Sequence, residues 1–238
     1  YTCMPFGIKN GPSTCQRLME HILRGLLWDV CLIYIDDIIN FSSTFQEHLE
    51  HLTLVFERLR KANIHLKPSK CNFARQETIF LGHHVSPRGI YPKKQTLDAL
   101  LTYPPPTKLK ELQSFLGLAQ FYRKFIQNFS LIAAPHYQLM KKNTKFKWTP
   151  NCQQAFETLK VLLTSPPILI YPDFTQPFYL STDASSTGLG YTLAQRRNGK
   201  EHAILYGGRQ FTPSDMRYST TQREALAIVV AVKKVKTY

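Results

Sequence analysis

The sequence predicts an α+β fold in which short antiparallel hairpins alternate with amphipathic helices. Runs of β-branched and aromatic residues occur in pairs joined by turn signals, and the stretches between them repeat apolar residues at helical spacing. Of the 238 residues, 43% are hydrophobic and 12% are aromatic. This composition is typical of a globular chain with one large or two smaller packed domains.

The first predicted elements are a helix and a hairpin. Ser13 and Gln16 predict the capping box of an amphipathic helix. The β-rich runs 30–35 and 38–41 then predict a hairpin whose two-residue tip consists of two adjacent aspartates. The chain therefore begins with a helix that precedes a carboxylate-bearing ribbon.

A second helix and a second group of strands follow. Thr44 and Glu47 form another capping box, and Asn63 can end that helix in the left-handed conformation. Short strands are predicted near 79–85, with a turn at 87–89. The pattern up to this point is a mixture of hairpins and helices.

Three prolines at 104–106 mark a boundary, after which the sequence is helical as far as residue 147. Thr107 is predicted to cap the first helix of this stretch, and Gly117 is expected to divide it. A further helix passes through Phe156 and ends before the Ser-Pro-Pro breaker at 165–167.

From Phe178 the pattern changes to three strands and a helix. Asn198-Gly199 is the strongest hairpin signal in the chain. The last helix is predicted to begin near Thr221 and carries Glu224. Thr221 and Glu224 also have capping-box spacing, so helix capping is an alternative role for this glutamate.

The net charge is +14, and much of it is concentrated in one segment. Residues 88–147 contain eleven Lys or Arg residues against two acidic residues. A concentrated basic field suits a polyanion, because neutralised phosphates release condensed counterions. The alternative interpretation is a solvated basic face.

The five cysteines are far apart and include no CxxC, which indicates reduced thiols of an intracellular protein. The sequence supports neither a signal peptide nor a membrane span. His48 and His51 are interpreted as part of a polar helix face, because no second Cys/His pair stands at zinc-finger spacing.

Asp36 and Asp37 are the most distinctive candidate site residues. Two neighbouring carboxylates repel each other unless a cation lies between them, and a divalent ion with hard oxygen ligands would remove that repulsion. The alternative is an exposed turn, where aspartate is common for backbone reasons. The pair alone does not decide between these interpretations.

Six motifs occur in a fixed order along the chain. Together they resemble the reverse transcriptase of gypsy-class long-terminal-repeat retrotransposons, which are related to retroviruses, over essentially the whole chain. The motifs are MPFGIKNGPSTCQRLM (4–19), YIDDIINFS (34–42), LKPSKCNF (66–73), FLGHHVSPRGI (80–90), ELQSFLGLAQFYRKFIQNFS (111–130) and STDASSTGLG (181–190).

The resemblance implies a partial polymerase palm, a helical thumb and the start of an RNase H-like α/β domain. The implied domains are a palm with a primer-grip hairpin (1–90), a basic thumb (91–147), a connecting helix and linker (148–176) and an RNase H-like part (177–238). Within the palm, Asp36 and Asp37 would hold catalytic Mg²⁺, or Mn²⁺, as two ions about 3.5–4 Å apart.

Other residues receive roles through the same resemblance. Phe6 and Gly7 match the segment beside the incoming nucleotide, with core packing as the alternative role of Phe6. Leu81 and Gly82 match the primer grip, with a bulged strand as the alternative. The residues implied to hold nucleic-acid phosphates are Lys108, Lys110, Arg123 and Lys124. The residues implied to bind metal in the nuclease are Asp183 and Glu224.

The implied function is RNA-directed DNA synthesis with RNase H activity. Its partners would be an RNA template, a DNA primer, dNTP, an RNA–DNA hybrid and the remainder of the Pol polyprotein. The family's other palm carboxylate precedes the MPFG motif, and two RNase H carboxylates would follow residue 238, so we expect the 238-residue chain to be inactive by itself.

Two other classes compete with this interpretation. One is a non-enzymatic retroelement remnant, which the intact carboxylates disfavour. The other is a polymerase without a nuclease, of the group II intron or telomerase type, which the STDASSTGLG motif after the thumb disfavours. Two departures from the family pattern are Asn40, where an apolar residue is usual, and the Tyr-Gly-Gly-Arg run at 206–209.

Overall fold

The computed structural model describes residues 4–5 and 7–238 and divides into two compact units, 1–76 and 77–238. Both units combine helices with antiparallel strands, so the predicted α+β class is confirmed. The strands near residue 80, which the sequence groups with the palm, lie in the second unit.

The first unit is a two-stranded ribbon packed against two helices. Its elements are α1 (Gly11–Ile22), β1 (Cys31–Tyr34), β2 (Asp37–Asn40) and α2 (Phe45–Lys61). The core between them contains Leu23 and Leu59, each almost fully buried, together with Cys31. Because α1 packs directly on β1, the side chains of α1 can reach the hairpin backbone.

The start of α1 differs from the sequence prediction. The helix begins at Gly11 with Pro12 in its first turn, and Ser13 lies inside the helix instead of capping it. Proline is favoured at this position because its missing N–H has no helical partner there. The predicted capping box of α2 is confirmed, and Asn63 adopts the left-handed conformation with φ of +55°.

The second unit contains two three-stranded antiparallel sheets joined by helices. The first sheet consists of β3 (Thr78–Phe80), β4 (His83–Ser86) and β5 (Gly89–Pro92). The helices that follow are α3 (Lys94–Leu101), α4 (Leu109–Phe121), α5 (Phe129–Ile132), α6 (Ala134–Leu139) and α7 (Pro150–Thr164).

The second sheet consists of β6 (Tyr179–Ala184), β7 (Gly188–Arg197) and β8 (Lys200–Gln210), and α8 (Thr220–Val235) packs on it. The β7–β8 turn at Asn198-Gly199 is confirmed, with both residues at positive φ. The main core of this unit combines aliphatic with aromatic side chains, and Phe115, Tyr122 and Phe156 are almost fully buried in it.

Three helix predictions in this unit were wrong. Gly117 does not divide α4, which runs unbroken from Leu109 to Phe121. Thr107 is not the N-cap, which is Lys108. The Thr107 amide and hydroxyl instead donate hydrogen bonds to the Glu111 carboxylate. The helical stretch ends at Leu139 and does not extend to residue 147.

Among the described residues, none of the helices has the length and apolar character needed to cross a bilayer. The four described cysteines, Cys15, Cys31, Cys71 and Cys152, are all free thiols.

Candidate functional site

The β1–β2 hairpin carries two adjacent carboxylates at its tip. Tyr34 pairs with Asp37, so the two turn residues are Ile35 and Asp36, one position earlier than the sequence predicts. Both aspartate side chains are exposed, and neither forms an ion pair within the described part of the chain. The hairpin therefore presents two oxygen-rich groups to solvent without a protein cation.

The backbone beside these aspartates is held from α1. The Ile35 amide donates a hydrogen bond of 2.6 Å to the Gln16 side-chain oxygen. The Cys15 thiol lies 3.7 Å from the Ile35 carbonyl oxygen, as a weak donor. The sequence does not predict this role, because Gln16 has the spacing of a capping box with Ser13 in its own helix.

The predicted nucleotide-binding segment lies at the start of the first unit. Phe6 lies outside the described residues. Gly7 is exposed with φ of +83°, and an added Cβ there would meet nothing within 4 Å. Glycine is favoured at this position by its backbone conformation and not by crowding.

The predicted primer-grip residues form the tight turn between β3 and β4. Leu81 and Gly82 have φ of +48° and +76°, as a two-residue hairpin turn with two left-handed positions requires. The Tyr122 hydroxyl donates a hydrogen bond of 2.9 Å to the Gly82 carbonyl. A Cβ on Gly82 would lie 3.0 Å from the Phe121 ring, so the end of α4 packs tightly against this turn.

His83, the residue after the turn, belongs to the same aromatic cluster. Its ring lies 5.2 Å from the Phe121 ring and 5.8 Å from the Tyr122 ring, measured between centroids. Burial, followed by the nearby Lys124 ammonium, lowers the pKa of His83. The imidazole is therefore biased toward its neutral form beside the turn.

The predicted phosphate-binding residues fall into two groups. Lys108 and Lys110 are exposed at the start of α4. Arg123, by contrast, donates a hydrogen bond of 2.9 Å to the Gly208 carbonyl. Burial lowers the pKa of Lys124, which also lies over the Phe125 ring. Lys108 lies 3.7 Å from the Glu111 carboxylate in an ion pair that is open to solvent. Both lysines are thus more exposed to an external polyanion than Arg123 and Lys124.

The exposed face of α4 connects these lysines with the turn. Lys110, Ser114, Gly117 and Phe121 recur at helical spacing and are exposed, Phe121 to 52%. An added Cβ on Gly117 would meet nothing within 4 Å. No neighbouring atom therefore requires a glycine at this position. Its missing side chain leaves the helix backbone accessible on this face.

The two predicted nuclease carboxylates lie on β6 and α8. Asp183 is exposed, pairs with Gly190 in the sheet and precedes Ala184, which packs in the same cluster as Ala227. Ala227 lies one helical turn after Glu224, which is half-buried. Neither carboxylate forms an ion pair among the residues described.

The capping role proposed as an alternative for Glu224 is wrong. The N-cap of α8 is Ser219, and Gln222 completes the capping box. This box lies two residues earlier than the one the sequence suggests. Glu224 therefore takes no part in the capping box of α8.

The carboxylates suit a hard divalent cation, because they are anionic oxygen ligands without a competing protein cation. The described residues contain no cluster of three or more His, Cys, Asp or Glu side chains. The candidate metal ligands remain the two pairs predicted from the sequence, Asp36 with Asp37 and Asp183 with Glu224.

Two family models match the sequence in different parts. Residues 1–85 match reverse transcriptase (RNA-dependent DNA polymerase), and residues 148–238 match the RNase H-like domain found in reverse transcriptase. The helix α4 lies between the two matched ranges.

Two curated relatives align along the whole chain. The retrovirus-related Pol polyprotein from transposon 297 of Drosophila melanogaster is 46% identical over 240 aligned residues, which are 100% of this chain and 22% of that protein. The transposon Tf2-3 polyprotein of Schizosaccharomyces pombe is 34% identical over 239 residues, which are 100% of this chain and 18% of that protein. The chain thus spans about a fifth of the length of these relatives.

Two solved structures share the fold. The foamy viral protease-reverse transcriptase dRH in complex with double-stranded DNA matches with a TM-score of 0.87 and 27% identity, over 98% of this chain and 41% of that chain. The foamy viral protease-reverse transcriptase in complex with an RNA/DNA hybrid matches with a TM-score of 0.84 and 27% identity, over 98% of this chain and 32% of that chain.

Proposed function

Because the chain belongs to the retrovirus-related Pol polyproteins, with reverse transcriptase and RNase H-like domains, we propose that its two carboxylate pairs serve metal-dependent chemistry on nucleic acid. The first pair serves RNA-directed DNA synthesis from dNTP. The second serves cleavage of the RNA strand of a hybrid. The substrates are an RNA template, a DNA primer and the RNA–DNA hybrid they form, in the setting of a Pol polyprotein.

The observation that carries this proposal is the hairpin tip. Asp36 and Asp37 are exposed and adjacent, and they lie in the part of the chain that matches reverse transcriptase. Exposed aspartates are common in turns, but this turn also contains a β-branched residue at positive φ. Strained backbone of this kind clusters at functional sites, which favours a catalytic tip over an ordinary turn.

Asp36 and Asp37 would hold Mg²⁺, or Mn²⁺, through their carboxylate oxygens. An ion held by these carboxylates would supply positive charge for the reacting phosphate oxygens and for a bound hydroxyl. The protein's own contribution is positional, because phosphoryl transfer depends mainly on orientation and electrostatic stabilisation. Asp183 and Glu224 would hold the same class of ion in the RNase H-like part.

The turn at Leu81-Gly82 and the exposed face of α4 would hold the primer–template duplex. Lys108 and Lys110 would contact phosphates, which position a duplex without reading its sequence. Gly82 and Gly117 lack side chains, which allows close approach of a backbone. Foamy viral reverse transcriptases with this fold are described in complex with duplex DNA and with an RNA/DNA hybrid.

Binding of an RNA–DNA hybrid by the 238-residue chain tests the duplex-holding surface. We expect binding without sequence preference and with a steep fall in affinity as salt rises. The double variant Lys108→Gln with Lys110→Gln should reduce the log–log salt slope by about 2, since each phosphate contact contributes about 0.9. The measurement is fluorescence anisotropy with a labelled hybrid at several salt concentrations.

The matched control removes the same charge elsewhere. Lys233 and Lys236 are exposed at the end of α8, and changing both to Gln leaves the face of α4 intact. This control should keep the wild-type slope. Equal slopes for all three proteins would mean that the lysines of α4 are only a solvated basic face.

A further inference from the structure

Two consecutive side chains of α1 contact the backbone of the β1–β2 turn. The Gln16 oxygen accepts a hydrogen bond of 2.6 Å from the Ile35 amide, and the Cys15 thiol lies 3.7 Å from the Ile35 carbonyl. Gln16 is half-buried, and its amide nitrogen also lies 3.5 Å from the Ile33 carbonyl oxygen. The polar groups of the turn residue before Asp36 are therefore engaged from one helix.

Ile35 has an unusual backbone. Its φ is +57°, which places a β-branched residue in the left-handed region. This conformation is unfavourable for a residue with a Cβ, and it persists only where surrounding contacts impose it. The hydrogen bond from the Ile35 amide to Gln16 is such a contact.

The orientation of Gln16 is itself set by a neighbour. Its amide nitrogen donates a hydrogen bond of 2.7 Å to the Glu20 carboxylate, one helical turn later. A carboxylate can only accept hydrogen bonds, so the side-chain nitrogen of Gln16 faces Glu20. The side-chain oxygen of Gln16 then faces the backbone N–H of Ile35. The Gln16–Glu20 pair thus presents an acceptor, and not a donor, to the strained turn.

We propose that Gln16 is a positioning residue that holds Ile35 in its left-handed conformation and so fixes the directions of the Asp36 and Asp37 carboxylates. Gln16 does not touch metal or substrate in this role. It acts as groups behind metal ligands do, by limiting the orientations that the ligands sample before the ion binds. The inference rests on the proposed function, since it assigns the two aspartates to a divalent cation.

Amide hydrogen exchange tests the positioning step independently of any metal. In Gln16→Met, a side chain of similar length cannot accept the hydrogen bond, and we expect the Ile35 amide to exchange about ten-fold faster. In the double variant Gln16→Glu with Glu20→Gln, the carboxylate at position 16 still accepts from the Ile35 amide and the amide at position 20 can donate to it, so protection should be largely retained. The measurement is exchange of the assigned Ile35 resonance in the metal-free 238-residue chain.

Gln46 provides a matched control on α2. Its amide nitrogen donates to Glu50, four residues on, at 3.3 Å, as Gln16 does to Glu20. The variant Gln46→Met makes the same chemical change on a helix without removing a hydrogen bond to Ile35, and it should leave Ile35 exchange unchanged. Unaltered exchange in Gln16→Met would overturn the inference, whatever the metal does.

Binding of Mn²⁺, followed by the electron paramagnetic resonance of the free ion, tests the consequence. Gln16→Met should weaken the affinity of the hairpin site about ten-fold, as loss of groups supporting metal ligands typically does. Asp36→Asn, which removes a ligand charge, should weaken it at least as much. Gln46→Met should bind as the wild type does.

Mn²⁺ binding by the two variants distinguishes an error in the metal site from an error in the positioning role of Gln16. If Asp36→Asn weakens Mn²⁺ binding and Gln16→Met does not, the positioning role is overturned and the metal site stands. If Asp36→Asn leaves Mn²⁺ binding unchanged, the proposed metal site is wrong and the inference is overturned with it. Faster Ile35 exchange together with weaker Mn²⁺ binding in Gln16→Met supports both.

Discussion

The Tyr122 hydroxyl donates a hydrogen bond of 2.9 Å to the carbonyl oxygen of Gly82, forty residues earlier in the chain. Tyr122 is only 1% exposed, and its ring contacts the rings of His83 and Phe121. The buried tyrosine therefore ties the end of α4 to the β3–β4 turn. The turn and the exposed face of α4 form one surface within the second unit.

Removal of this hydroxyl should loosen the turn. We expect Tyr122→Phe to lower the free energy of unfolding of the second unit by about 1 kcal/mol, the usual net value of one hydrogen bond. Urea unfolding followed by circular dichroism measures it. Tyr218→Phe is the control, because Tyr218 is 42% exposed, and it should unfold as the wild type does. Equal midpoints for all three proteins would mean that the hydrogen bond contributes nothing.

Replacing Gly117 with alanine should stabilise the chain and weaken its binding of nucleic acid. Gly117→Ala has open space around the new Cβ, and alanine is favoured over glycine by up to about 1 kcal/mol in a helix interior. We therefore expect a higher urea midpoint and weaker binding of an RNA–DNA hybrid. Binding that is unchanged or stronger would show that nucleic acid does not approach the backbone of α4 at this position.

Variants of Glu224 and Ser219 should distinguish metal binding from helix capping. Because Ser219 and Gln222 form the capping box, Ser219→Ala should cost about 1 kcal/mol of stability and Glu224→Gln should cost little without metal. Stabilisation by a bound ion grows with the logarithm of its concentration over the dissociation constant. Thermal midpoints across a Mn²⁺ titration into the millimolar range should rise in wild type and in Ser219→Ala, and lag in Glu224→Gln. Parallel curves for wild type and Glu224→Gln would rule out the ligand role.

Acid should destabilise the second unit through His136. This histidine is fully buried, its Nε2–H donates to the Cys152 carbonyl at 2.9 Å, and burial lowers its pKa. The unfolded chain takes up the proton near the ordinary pKa of about 6.5, whereas the folded chain resists protonation, so stability falls as pH drops below that value. The lowered pKa of His83 acts in the same direction.

Trp148 provides a local probe of this effect. Its ring stacks on His136 at 5.4 Å between centroids. With the other tryptophan, Trp28, replaced by Phe, the fluorescence of Trp148 reports unfolding of this region alone. We expect a lower urea midpoint at pH 5.5 than at pH 7.5, with a smaller difference in His136→Gln. An equal difference in both proteins would assign the pH dependence to other groups.

Replacing Asn40 with an apolar residue should stabilise the first unit. Both polar atoms of its side chain are buried without a hydrogen-bond partner in the described structure, and asparagine is disfavoured in strands. We expect Asn40→Val to raise the free energy of unfolding of the first unit by about 1 kcal/mol. A lower stability in this variant would indicate that Asn40 makes a polar interaction that valine cannot replace.

The sequence predicted those elements whose signals are local. The capping box of Thr44 and Glu47 and the turn at Asn198-Gly199 depend on hydrogen bonds and φ values within a few residues, so the residue types suffice. The order of six motifs similarly predicted the reverse transcriptase family. Errors arose where two local signals competed, as for Ser13 against Pro12 at the start of α1.

Hydrophobic periodicity and turn signals in the sequence thus predicted the fold class, and the order of its motifs predicted the family. The resemblance to that family then named the candidate carboxylates Asp36, Asp37, Asp183 and Glu224. Only the tertiary structure decided which groups support them. The hydrogen bonds from Ile35 to Gln16, from Tyr122 to Gly82 and from Arg123 to Gly208 join residues 19, 40 and 85 positions apart. No local pattern encodes such pairs, since they form only when packing brings separate elements into contact.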